Sequence, residues 1–358
     1  MTTAVEGSPH RADGGRSELL GLAALLGAGL LLAAVGARWI SGPLVPLALA
    51  LVLAAVVAVI WTAVAGSPES KRRIAPYGLL KPGMLWLALF YLAPLITLLR
   101  SSLSTRPSRF AVDFTFDWNL GNYTTAFTDF APQFGRAFLY AGSATVLTIL
   151  IGFPLAYVIA FRGGRFKTLL LGLVVIPFFT SYLIRTIAWR SLLADTGQVV
   201  QLFDTLRISG ILETVGVMDN GRVLNTPAAV IGGLTYNFLP FMILPIYVSL
   251  EKVDPRLVDA AQDLYSTAFQ SFRKVVVPLA LPGVFAGTLL TFIPAAGDFV
   301  NALYLGSPNT TMIGNSIQDQ FLVQSNVPLA SAMSFVLMLI ITVFVFVYSR
   351  FFGTEDLT

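Results

Sequence analysis

Eight stretches of this chain are each apolar over about 20 residues, the length a helix needs to cross the hydrocarbon of a bilayer. They lie near 19–37, 43–65, 83–100, 137–161, 168–190, 227–250, 279–304 and 330–350. Lipid offers no partner to a backbone N–H or C=O, so such stretches must satisfy their hydrogen bonds internally, as helices. The expected fold class is therefore all-α, a polytopic transmembrane helical bundle. Composition agrees: 56% of the 358 residues are hydrophobic and 12% charged, against about a quarter charged in a soluble domain. A single soluble core also stops growing at roughly 250–300 residues.

The same composition removes several kinds of chemistry. There is no cysteine, and the one histidine is His10 in a polar tail, so disulfides, thiolate metal sites and imidazole catalysis are not expected. Met1–Glu18 lacks the layout of a cleavable signal peptide and reads as a disordered tail. The net charge of +4 sits in short loops and reads as topology information; no nucleic-acid partner is expected.

Cationic residues set the orientation. Lys71, Arg72, Arg73 and Lys81 lie in the loop before the third stretch. Arg162, Arg165 and Lys167 follow the fourth. Lys252, Arg256, Arg273 and Lys274 follow the sixth. Alternating spans put all three groups on one side with both termini, so the termini are expected in the cytoplasm of a cell-membrane protein. The organisation expected is a tail (1–18), two extra N-terminal spans (19–66), a basic linker (67–81) and a six-span domain (82–352) that includes a cytoplasmic loop at 251–277. The seventh stretch holds Pro282, Pro294, Gly283, Gly287 and Gly297. It reads either as a span inside the bundle beside a pathway or as a packing kink in which Gly283 and Gly287 permit close contact.

The loop Val253–Pro278 is too polar to span yet is patterned for helix. Asp254 suits an N-cap and Pro255 the first helical position. Leu257, Ala260, Ala261, Leu264 and Ala268 then fall on one face. Thr267 and Gln270 have capping-box spacing ahead of Phe269 and Phe272, so two short helices with a break near Tyr265–Ser266 are expected. A small-faced amphipathic helix between two spans suits a groove on another protein. The alternative is a helix lying on lipid, which Asp259, Gln262 and Asp263 on its polar side disfavour.

The run Asp259-Ala260-Ala261 to Pro278 resembles the EAA loop of permeases in binding-protein-dependent ABC importers. In that family the order is E-A-A, three residues, Gly, nine residues, then I-x-L-P. Here Asp259 replaces the Glu, Tyr265 the Gly, and Val275-Val276-Val277-Pro278 forms the end. Asp keeps the charge, whereas Tyr265 departs from a residue suited to a sharp turn. Asn119-Leu120-Gly121-Asn122-Tyr123, Gly152-Phe153-Pro154, Arg185-Thr186-Ile187-Ala188-Trp189, Leu239-Pro240-Phe241, Gly297-Asp298-Phe299-Val300 and Met312-Ile313-Gly314-Asn315 are similar to the spermidine/putrescine branch. The likeness covers residues 80–352. Iron, phosphonate and thiamine importers share parts of it.

The resemblance implies a permease subunit that binds no cofactor and is not an enzyme. ATP would be used by a separate ATPase dimer, consistent with the lack of the phosphate loop G-x-x-x-x-G-K-[ST] in this chain. It further implies a second permease subunit and an extracytoplasmic substrate-binding protein. The ATPase would dock on Asp254, Arg256, Leu257, Asp259, Ala260, Ala261, Leu264, Tyr265, Thr267 and Phe269. For the substrate path, Asp298 lies 20 residues beyond Pro278, about 30 Å up a helix, where a carboxylate would attract a cation. The other reading of Asp298 is a helix-end carboxylate paired with Arg185 or Arg190. Tyr236, Asn237 and Asn301 are lining candidates that equally suit packing and hydrogen bonding. A secondary transporter would place several ionisable groups at mid-membrane depth, and a membrane enzyme would need a catalytic pair or metal cluster; this sequence offers neither.

Overall fold

The computed structural model describes residues 86–108 and 114–352, with Gly83. The tail, the two N-terminal apolar stretches and the linker 67–81 lie outside the described residues. Two compact units divide the chain at Thr97/Leu98. The described part of the first is helical from Trp86, through a π turn at Ala88–Leu92 into α1 (Ala93–Ser102). Among the described residues its apolar helix covers Leu89–Ser102.

Among its described residues the second unit is mainly helical, with a ribbon of β1 (Ser104–Thr105) against β2 (Thr115–Phe116), antiparallel with Ser104 opposite Phe116. There follow α2 (Gly121–Asp129), α3 (Ala131–Tyr157), α4 (Lys167–Val175), α5 (Tyr182–Leu192), α6 (Gln198–Thr205), α7 (Ser209–Thr214) and α8 (Pro227–Glu251). Then come α9 (Pro255–Asp263), α10 (Ala268–Ser271), α11 (Val277–Ala296), α12 (Val300–Leu305), α13 (Ile313–Gln318) and α14 (Val327–Phe352). Among the described residues, four helices are long and apolar enough to cross a membrane: Ala131–Arg162, Pro227–Glu251, Ala268–Ala296 and Val327–Arg350.

The fifth apolar stretch is not the straight span expected over 168–190. Gly164–Phe179 and Tyr182–Leu192 meet at 95°. Pro177 lacks an N–H to continue the ladder, the helix tightens to a 3-10 turn over Ile176–Phe179, and Thr180 is extended. The seventh stretch also differs. Its helix begins eleven residues before the expected start at 279 and ends at Ala296, short of 304. What reads in sequence as a separate second loop helix, α10, passes through a π turn at Phe272–Val276 directly into α11. The result is a single rod of 29 residues, Ala268–Ala296, about 43 Å long at 1.5 Å per residue.

α8 is the central helix, with 61% of its apolar window buried, and it packs against α3 and α11. Close approach of α8 and α11 depends on missing side chains. A Cβ on Gly283 would lie 2.6 Å from Ser249 Oγ and 2.8 Å from Ile246 Cα, and one on Gly287 would lie 2.7 Å from Met242 Sδ. The inner faces carry alanines and Met242, Ile243 and Ile246. The outer faces carry exposed Leu139, Leu150, Leu169 and Phe346, the inverse of a soluble bundle and suited to lipid.

Candidate functional site

At one end of the bundle, residues 252–272 form a two-helix loop built from local hydrogen bonds. Asp254 accepts from Arg256 N at 2.9 Å, and Pro255 opens α9. α9 closes with Ser266 N donating to Ala261 O (3.2 Å) and Tyr265 N to Gln262 O (2.9 Å). These two bonds make a Schellman motif, with Tyr265 at the position that glycine ordinarily fills. Tyr265 accordingly has φ +62°. Thr267 Oγ1 accepts from Gln270 N (3.2 Å) while Gln270 Oε1 accepts from Thr267 N (3.1 Å), the reciprocal box that starts the rod.

The loop is pinned on its inner side. Phe272 stands edge-on to Phe153 (5.8 Å) and Tyr157 (5.5 Å) of α3, and Val258 packs on the same cluster. Lys167 Nζ meets Glu251 Oε1 at 3.1 Å, so the basic turn 162–167 and the loop share one end. On the outer side, Leu257, Ala260, Leu264, Tyr265, Ala268 and Phe269 are exposed, with Tyr265 97% and Leu264 81% accessible; Ala261 is half-buried. Arg256 and Asp259 are also exposed. Full burial of one large apolar side chain contributes about 1.5–3 kcal/mol, so covering this exposed face would be favourable.

At the far end of the rod lies a buried polar network. Gly297–Phe299 interrupt the helix between Ala296 and Val300. Asp298 Oδ1 accepts from Asn301 N (2.8 Å) and Asn301 Nδ2 (3.2 Å). Its Oδ2 accepts from the Tyr182 hydroxyl at 2.5 Å. Asn301 Nδ2 also donates to Tyr182 Oη (2.6 Å), and Asn237 Nδ2 donates to Asn301 Oδ1 (3.1 Å) and Thr186 Oγ1 (3.4 Å). Asp298, Asn301, Asn237 and Thr186 are each at most 8% exposed. Asn237 Oδ1 is buried and takes no donor among the described residues.

Thus Asp298, Asn237 and Asn301 come together, while Tyr236 turns away, its ring 5.2 Å from Trp189. The partner of Asp298 is neither Arg185 nor Arg190. Arg185 is buried, its guanidinium 5.7 Å from the rings of Phe178 and Tyr182, with Nε and Nη1 lacking an acceptor among the described residues. Tyr182 escapes sequence reasoning because its contact depends on the bend at Thr180–Ser181. The only local signal was the Pro177-to-Ser181 run inside an apolar stretch. Asp298 is also not on a helix, as a continuous span over 279–304 would have it.

Comparison with known proteins gives this architecture a class. The family described as binding-protein-dependent transport system inner membrane component matches residues 126–353. The chain belongs to that family: it is a membrane-spanning component of a binding-protein-dependent transport system. More particularly, it is similar to the spermidine/putrescine transport system permease protein PotB of Haemophilus influenzae, 38% identical over 74% of this chain and 90% of that protein. PotB of Escherichia coli is 34% identical over 74% of this chain and 93% of its own length. In fold it resembles a chain of a bacterial ABC transporter involved in the import of the acidic polysaccharide alginate (TM-score 0.56, 17% identity, 80% of this chain and 98% of the other).

Proposed function

We propose that this chain is the translocating permease subunit of an ATP-driven polyamine importer, with both termini in the cytoplasm and no ATPase site of its own. The observation that carries the reading is the exposed apolar face of the two-helix loop, mounted on a rod that ends at the buried Asp298 network. A partner ATPase dimer docks on Leu257, Ala260, Leu264, Tyr265 and Phe269, with Asp254, Arg256, Asp259, Ala261 and Thr267 shaping that surface. The rod carries its motion to the pathway, which is formed with a second permease subunit and fed by an extracytoplasmic binding protein. The spans at 19–66 are an addition to a six-span core at 82–352. Polyamine as the solute is supported by the names of the relatives and by the chemistry of the network, whose carboxylate and unfilled Asn237 Oδ1 suit an ammonium donor.

Reconstitution of the full importer with a spermidine-loaded binding protein tests this. ATP-dependent uptake of spermidine is expected, and Asp298→Asn should lower it roughly tenfold, the size of one lost charge-assisted contact, with assembly unchanged. Uptake independent of ATP would overturn the importer reading, and undiminished uptake by Asp298→Asn would remove the carboxylate from the path.

A further inference from the structure

We propose that Tyr182 is a positioning residue of the pathway, a latch that holds the bent fifth span onto the end of the rod until a cationic solute replaces it. The inference rests on Asp298 belonging to the path.

Three observations carry it. The Tyr182 hydroxyl occupies Asp298 Oδ2 at 2.5 Å and is itself held by Asn301 Nδ2 at 2.6 Å. Because Asp298 is buried, a cation that approaches this carboxylate oxygen competes with the phenol for the same space. Second, Tyr182 opens α5, immediately beyond the 95° bend. Thr186, one turn further on the same face, makes a weaker 3.4 Å contact with Asn237. The tie between α5 and the Asp298 network is thus short, polar and located at the one place where the span is already broken. Third, Asp298 stands two residues past the end of a helix whose other end is the capped loop at Thr267–Gln270. A displacement of that loop is carried along one continuous helix, through the π turn at Phe272–Val276, to within two residues of Asp298.

The network is rich in acceptors and has one to spare. Asn237 Oδ1 is buried without a donor. An ammonium group brings three donors: it can take Asp298 Oδ2 from the phenol and still serve a second acceptor, which one hydroxyl cannot do. A quaternary ammonium, which has no N–H, cannot make that exchange. Substrate chemistry and the release of α5 are then one event, and the states differ by which donor the carboxylate holds.

The test uses the complete importer in proteoliposomes with spermidine as probe. Tyr182→Phe removes one oxygen and keeps the ring that packs 6.2 Å from Phe238. Hydrolysis of ATP without loaded binding protein should rise about fivefold, and spermidine imported per ATP should fall, as expected when one of two states loses a bond. Unchanged basal hydrolysis and stoichiometry, or a loss of all activities in proportion to membrane abundance, would overturn the latch. A second measurement does not depend on that variant. The chain has no cysteine, and Thr186 is fully buried beneath the contact. In Thr186→Cys, alkylation by a maleimide should be at least about tenfold faster during turnover than at rest, as for a site exposed only in the opened state. Equal protection in both conditions would also overturn it. Intact uptake by Asp298→Asn would instead sink the underlying path assignment, so the two failures are separable.

Discussion

Tyr265 shows how much one residue can reveal. Both bonds of the Schellman motif are made, so the turn forms as it would with glycine. A non-glycine side chain in the left-handed region costs about 1–2 kcal/mol, partly offset because glycine has more freedom to lose on folding. Tyr265→Gly is therefore expected to stabilise the turn by roughly 0.5–1 kcal/mol, seen as slower hydrogen exchange in the amides of 264–270. Faster exchange would mean that the exposed ring contributes more than the strain takes away. The caps at Asp254 and Thr267 and the break at Tyr265 were all legible in sequence because each joins residues two to five apart. The Tyr182–Asp298 contact joins residues 116 apart. No local pattern encodes it, and only the residue types at one of its ends, Asp298 and Asn301, attract notice in sequence.

At the scale of elements, helices were easier to find than to end. Apolar runs locate the cores of α3, α8, α11 and α14, because hydrophobic length is a direct property of composition. They do not locate where a polar helix fuses to an apolar one. The rod therefore begins eleven residues earlier than hydropathy suggests, its amphipathic first turns belonging to the loop. Nor do they show that the fifth stretch turns through 95°. The pairing of α8 with α11 was legible in part, since Gly283 and Gly287 have the spacing of a close helix contact. Gly283→Leu should push the helices apart, because its Cβ alone would meet Ser249 and Ile246. Overpacking of this kind costs about 1–3 kcal/mol, and a lower melting temperature of the purified protein is expected. A melting temperature equal to that of the unsubstituted chain would show that α8 and α11 are not held at this distance.

At the scale of the molecule, the two ends proposed to be functional are joined by one helix. One end is a small exposed apolar face on a capped loop; the other is a closed polar network at a helix break. Membership of the transport family accounts for residues 126–353. The stretches at 19–66 lie outside that match. Ala261, which sequence puts on the docking face, leans halfway into the bundle, so the exposed neighbour Ala260 is the better reporter. Because the chain lacks cysteine, Ala260→Cys provides a single label on the proposed coupling surface. In membranes that hold the assembled importer, an impermeant maleimide should reach this position only from the cytoplasmic side, and the bound ATPase should slow the reaction about tenfold, as a buried interface position requires. Labelling from the opposite side, or at the same rate with and without the ATPase, would contradict the account.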